Sequence, residues 1–497
     1  MPLRRTAARD LRQAAADQAF LRPHLEHINN GEENAYPKRV ANYSKGLPHN
    51  KLGEVDLPAY RALLNALNSG RSEHFEAIPL GSVRKLTNPQ AGLAYDLEGG
   101  DAHSLAIRPA PRIDSAENSA EMAELYWMAL LRDTPFADYD SDAMVAEAAQ
   151  DLSGFSDFRG PKQGNQVTHQ TLFRGFTAGD RRGPYVSQFL LKDIPYGTLT
   201  ISQRQETAKS GVDYLTDFAS WLAVQRGANP ALAVPGPQRH ILNARDLATY
   251  VHFDQLYEAY LNACLILLDP EAPAQLDPGN PYPSETENGF GTFGGPHILS
   301  LVTEVATRAL KAVWFQKWFV HRRLRPEAFG GRIHNHMTGT AQYPIDDEIL
   351  NSSVVGRIMS EPRFGSYLLP QAFPEGSPTH PAYGAGHATV AGACVTILKA
   401  WFDESDPIPN PQVPKADGSE LKDYSGPQLT VGGELDKVAA NIAIGRNMAG
   451  VHWRSDYTES VKLGEAIAIS VLEEQKETYS EDHWFTLRKF DGRVVSI

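Results

Sequence analysis

The sequence predicts a mainly α protein, with a compact helical C-terminal half and a more irregular N-terminal half wrapped on it. Two observations carry this. From about residue 210, six segments (214–226, 243–268, 298–325, 387–403, 435–451 and 456–475) place apolar residues at the three-to-four spacing of buried or half-buried helices. Before that point only 54–70 and 119–133 do so. The 75–116 stretch mixes short strand-like pieces with turns, and 177–197 looks like a loop with one short apolar element. The chain therefore divides into 1–210, packed on the core, and the helical core 211–497, the two forming one integrated fold.

At 497 residues the chain can bury a large core. A formal charge of −13, without a basic tail or interleaved basic and aromatic residues, excludes a nucleic-acid partner. No apolar run reaches bilayer length, and the N-terminus has a twin arginine but no apolar signal core. No membrane partner and a cytoplasmic location are the corresponding expectations. Cys264 and Cys394 sit in apolar helical runs and read as buried free thiols. Two long Pro- and Gly-rich stretches, 269–297 and 403–430, interrupt the helices, and loops of that length inside a compact domain are often functional.

Three clusters of polar residues fall at helix ends. In KWFVHRRLRPEAFGG, Pro326 bars α geometry at the residue before it, so the helix from 298 should end there. Lys317 then lies in its last turns and Arg325 at its exit, about 12 Å apart if the helix held, close enough for both side chains to converge on one anion. A basic helix end solvated opposite its own dipole is the plainer alternative. In THPAYGAGHATV, Gly386 lets a backbone N–H approach a ligand where a helix opens near His387, and His380, His387 and, less so, Tyr383 are candidate catalytic side chains. A loop capping a buried helix reads the same way. In AIGRNMAGVHWRSD, Gly450 should break a helix after Arg446, and Asp456 follows His452 at a spacing that lets a carboxylate orient an imidazole. Alone, that is an incidental pair at a helix junction. Together the clusters supply a lysine, two arginines, a free N–H and two histidines, a set suited to a tetrahedral oxyanion of about two negative charges.

Lys317…Arg325-Pro326, Gly386-His387 and Arg446…His452 with Asp456 resemble the three-part motif shared by vanadium-dependent haloperoxidases and type-2 acid phosphatases. The stretches SPTHPAYGAGHAT, FQKWFVHRRLRPEAF, GPYVSQFLLKDIPYG and NGFGTFGGPHI are similar to the algal and cyanobacterial bromoperoxidase branch. The resemblance implies two four-helix bundles with a vanadate site at their ends. His452 would ligate vanadium. Lys317, Arg325, Arg446 and the Gly386 N–H would neutralise the vanadate oxygens, and Asp456 would support His452. His387 would take a proton from hydrogen peroxide, and Lys317 would polarise the peroxide. The implied products are hypohalous acid and a halogenated small organic acceptor. A homo-oligomer, dimeric or larger, is also implied.

Three details refine this. Relatives usually read Ser-Gly-His where this chain has Ala385-Gly386-His387. The missing hydroxyl removes a contact to vanadate worth about 1–3 kcal/mol if nothing replaces it. His380 resembles the bromide-oxidising pattern and Trp314 the chloride-oxidising one, so bromide is expected, with chloride possible. Both residues equally suit plain packing. Seven residues separate Lys317 from Arg325, as in algal haloperoxidases, whereas phosphatases commonly show six. The rival functions are a phosphatase, with His452 as nucleophile and His387 as acid, and a non-catalytic oxyanion-binding protein. An acidic partner for Arg446 or His387 should come from the first half or from 243–268. Acidic loops such as 344–348 do not separate a structural calcium site from a solvated turn.

Overall fold

The computed structural model describes residues 2–23, 25–284 and 286–497. Thirteen helices of eight residues or more follow in order: α1 (Pro2–Leu21), α2 (Leu57–Ser69), α3 (Ala116–Leu130), α4 (Ala143–Gly154), α5 (Phe218–Gln225), α6 (Ala244–Phe253), α7 (Glu258–Leu267), α8 (Gly295–Phe315), α9 (Pro326–Met337), α10 (Ser353–Ser360), α11 (Gly386–Trp401), α12 (Val431–Met448) and α13 (Arg454–Lys476). Named strands among the described residues form four two-stranded antiparallel pairs. The chain is mainly α, as its periodicity predicts. Cys264 and Cys394 are buried free thiols.

Local chemistry sets many boundaries. Asp56, Ser115, Asp217, Asn243 and Thr430 each occupy an N-cap, where the side chain accepts a first-turn N–H. α11 is buried on almost every side and packs against α8, α12 and α13, while α12 also packs on α6. One apolar cluster runs from Val40 to Phe490 and takes residues from both halves.

Three expectations are corrected. The segment 298–325 does not stay helical to Pro326. α8 stops at Phe315, a π-helical turn covers Gln316–His321, and Arg322 turns left-handed at φ 43°. Tertiary hydrogen bonds override helix propensity here. Arg322 is held by Glu33, its carbonyl accepts from Tyr43 N, and Leu324 N donates to Ala41 O. Arg325, extended as a residue before proline must be, becomes the N-cap of α9. Segment 243–268 is two helices, broken at Asp254 with φ −58° and ψ 144°. The first half also holds two helices, α1 and α4, that its sequence did not announce. α1 is amphipathic only weakly and almost wholly exposed.

Candidate functional site

α8 and its π turn, the Arg325 corner, the start of α11, the end of α12 and the start of α13 bring the three clusters to one buried place. Arg325 links them. Its NH2 donates to His380 Nδ1 at 2.9 Å and its NH1 to His452 Nε2 at 2.9 Å, while Nε and NH1 also donate to the carbonyls of His380 and Val451. Lys317 Nζ donates to the carbonyls of Pro381 (2.9 Å) and Ala382 (3.3 Å), leaving one of its three N–H groups over. Arg446 NH1 donates to Val251 O at 2.8 Å, and its Nε is buried without a partner.

Guanidinium groups only donate, so the bond from Arg325 makes His452 Nε2 an acceptor. The proton then sits on Nδ1, which donates to Asp456 Oδ2 at 2.6 Å. Burial, with Arg325 and Lys317 adding to it, holds His452 well below the ordinary imidazole range, so it is neutral with its Nε2 lone pair toward the cations. His380 is neutral for the same reasons. It stacks obliquely on Trp314, with ring centroids 4.8 Å apart. Tyr383 does not join the group, since its hydroxyl donates to Arg108 O.

His387 is the most exposed of these imidazoles, with 19% of its side chain accessible, and its Nε2 lies 3.1 Å from Asp254 Oδ1. Burial lowers its pKa, Asp254 opposes that, and Arg446 and Lys317 reinforce it. Gly386 opens α11, and Ala385 supplies no side-chain cap to its first-turn N–H groups. A Cβ on Gly386 would come within 3.1 Å of the Trp314 ring, a tight contact.

Charge balance shows what such a site can take. Among the described residues no carboxylate lies within ion-pair distance of Lys317, Arg325 or Arg446, although each is almost fully buried. Burial pushes Lys317 well below its usual range and pushes both Arg325 and Arg446 down to about 10. Asp456 acts on Lys317 and Arg325 from beyond ion-pair distance, and Asp254 and Glu375 act likewise on Arg446, so three buried cations with no direct ion pair, beside a neutral imidazole, form a receptor for an anion.

The comparisons agree with that chemistry. The family model of the VCPO second helical-bundle domain matches residues 299–481. A vanadium-dependent bromoperoxidase of Corallina officinalis is 41% identical over 99% of this chain and 98% of its own. One from Ascophyllum nodosum is 36% identical over 95% of this chain and 88% of its own. The homohexameric structure of the second vanadate-dependent bromoperoxidase (AnII) of Ascophyllum nodosum superposes with a TM-score of 0.94 at 30% identity, covering 99% of this chain and 90% of that one. The chain belongs to the vanadium-dependent haloperoxidases. Vanadate, the oxyanion this family implies, fits the donors present: Arg446 Nε and the third Lys317 N–H are uncommitted, Gly386 opens α11, and His452 Nε2, which accepts from Arg325 in this structure, offers its lone pair once that bond is released.

Two residues that contact this cluster, Asp254 through His387 and Arg323 through Asp456, escape sequence reasoning. Asp254 lies inside a run whose apolar spacing continues through it, and no Pro or Gly marks the break that turns it toward His387. It is the acidic residue expected from 243–268. Arg323 hides in a run of arginines, where nothing distinguishes a buried guanidinium from a solvated one.

Proposed function

We propose that this chain is a vanadate-dependent bromoperoxidase, oxidising bromide with hydrogen peroxide and one proton to hypobromous acid and water, with chloride as a slower substrate. The product halogenates small organic acceptors. The observation that carries this reading is the cluster of three buried cations with no direct ion pair around Nε2 of a tautomer-fixed His452, with a second, partly exposed histidine beside it. Bound vanadate supplies a Lewis acid that keeps its oxidation state and makes peroxide oxygen electrophilic.

The chain's residues do the rest. His452 presents Nε2 as the vanadium ligand. With the Arg325 bond to His452 Nε2 released, Lys317, Arg325, Arg446 and the Gly386 N–H neutralise oxyanion charge. Lys317, with its spare N–H, also polarises peroxide. His387, neutral because burial lowers its pKa, accepts the first peroxide proton, and Asp254 holds its ring and stabilises its cation. Trp314 and His380, stacked on each other, wall the halide approach. Residues 1–210 and 211–497 act as one unit, and the hexameric relative supports a homo-oligomeric assembly.

The phosphatase alternative shares the oxyanion cage but is not favoured, because the whole-length relatives are bromoperoxidases. The test is bromination of a dimedone-type reporter with peroxide and bromide, after stripping the protein with chelator and phosphate and again after adding orthovanadate. Activity that needs vanadate and disappears in His452→Ala is expected. No bromination, with brisk hydrolysis of p-nitrophenyl phosphate, would transfer the chain to the phosphatases.

A further inference from the structure

Arg323 is 4% exposed and sits between the Lys317 turn and Arg325, yet its side chain turns away from the cation cluster. NH1 donates to Asp456 Oδ1 at 3.0 Å and to Ser455 Oγ at 2.7 Å. NH2 donates to Glu121 Oε2 at 2.8 Å and to Asn118 Oδ1 at 3.0 Å. The guanidinium lies 4.7 Å from the Trp453 ring centroid, on the residue next to His452. Its backbone carbonyl accepts from Ala382 N, and Ala382 is one of the two residues whose carbonyls hold Lys317. Glu121 closes the loop from the other side, taking Ser455 N on its second oxygen.

Asp456 has two oxygens with separate duties. Oδ2 takes His452 Nδ1–H and Trp453 N–H, whereas Oδ1 is taken by Arg323. A carboxylate held at one oxygen alone can swing about its Cβ–Cγ bond, and the imidazole it holds swings with it. With Arg323 in place the plane of Asp456 is fixed through α3, a helix of the N-terminal half. We propose that Arg323 is a positioning residue for the vanadium ligand: by clamping Asp456 against Asn118 and Glu121, it aims His452 Nε2 at the oxyanion site. The first half of the chain thus bears on the vanadium ligand through this buried guanidinium, besides the bond from Ser455 N to Glu121. A lysine cannot reproduce this, because one point donor does not span two carboxylates on different helices.

The proposal rests on the bromoperoxidase reading, and its test separates the two. Vanadate bonds to an imidazole lone pair by expanding its coordination. Phosphate does not, and occupies the same cations through charge and hydrogen bonds alone. Dissociation constants of orthovanadate and inorganic phosphate are measured on the stripped full-length protein and on Arg323→Lys and Arg323→Gln. If wild type binds no vanadate, the functional reading itself fails. Otherwise a loss of about tenfold or more in vanadate affinity, with phosphate affinity within about twofold of wild type, is expected from the usual effect of removing a partner of a metal ligand. Where Arg323→Gln does not fold, Arg323→Gln/Glu121→Gln, which leaves no unpaired Glu121 carboxylate, takes its place and the same loss is expected. An unchanged vanadate affinity, or equal losses for both anions, would overturn the proposal. The first would mean that His452 needs no such hold, the second that Arg323 supports only the general architecture.

Discussion

The site contains two histidine–aspartate pairs that share a chemistry and differ in setting. His452 and Asp456 are four residues apart, 2.6 Å from each other and sealed from solvent, with side chains 2% and 0% exposed. His387 and Asp254 are brought together from distant parts of the chain, 3.1 Å apart, with the histidine 19% exposed. Around the first pair nearly every polar atom is committed: Arg325 donates to the far nitrogen of His452, and Trp453 N and Arg323 donate to Asp456. The second pair has one bond between its members and access to solvent. A carboxylate beside an imidazole therefore does not define a role. Full enclosure fixes a tautomer and a lone pair, as a metal ligand needs, whereas partial exposure leaves a ring free to gain and lose a proton.

Removing each histidine in turn is the severest test of this division. His452→Ala should abolish vanadate binding, and with it all vanadate-dependent bromination, while the folded protein still binds phosphate through its cations. Equilibrium dialysis against both anions checks this. His387→Ala should do the reverse: vanadate affinity within about tenfold of wild type, and turnover lower by on the order of 10²–10⁴-fold, the usual contribution of a positioned acid or base. A His387→Ala protein that turned over normally would leave the exposed pair with no function to contrast with the buried one.

These two histidines were also the residues most open to sequence reasoning, because each sits in a short local pattern. Gly386-His387 at a helix start and His452 four residues before Asp456 need no tertiary knowledge. Arg325 was equally visible, since Pro326 fixes the conformation before it whatever the rest of the chain does. The partners were not so legible. Asp254 matters because α6 stops there, in extended geometry and without a breaker residue. Arg323 is visible only once Asn118 and Glu121, some two hundred residues away, are placed beside it. The π turn that carries Lys317 likewise depends on Glu33, Ala41 and Tyr43, which no pattern near residue 317 reveals.

Asp254 allows a finer test with a defined sign. In the vanadate-free protein His387 should titrate below the ordinary imidazole value of about 6.5, since burial outweighs the opposing carboxylate. Asp254→Asn removes a carboxylate that favours the imidazolium and leaves Arg446 and Lys317, which disfavour it. The pKa should therefore fall further, and the imidazole should stay neutral to lower pH than in wild type. NMR titration of the His387 ring reads this directly, and an upward shift would mean that Asp254 acts on His387 other than by charge. Turnover should fall by about tenfold, less than for loss of the histidine itself, because a proton acceptor is still present but its ring is no longer held.

The smallest effect expected is at Ala385, where this chain departs from its relatives. Ala385 occupies the N-cap of α11 at φ −89° and ψ 126°, the extended geometry of a capping residue, but without an oxygen to cap with. Ala385→Ser supplies one hydroxyl with two possible uses. Accepting a first-turn N–H stabilises the vanadate-free protein by about 0.5–2 kcal/mol, read as a higher unfolding temperature. Donating to a vanadate oxygen raises vanadate affinity by roughly tenfold, equivalent to about 1.4 kcal/mol. A hydroxyl can donate its proton while accepting at a lone pair, so the two gains are not exclusive. If stability rises and affinity does not, an ordered water already fills the place of the serine hydroxyl in this chain. The alanine would then be a substitution that the oxyanion site tolerates, because its affinity resides in the three buried cations and in His452.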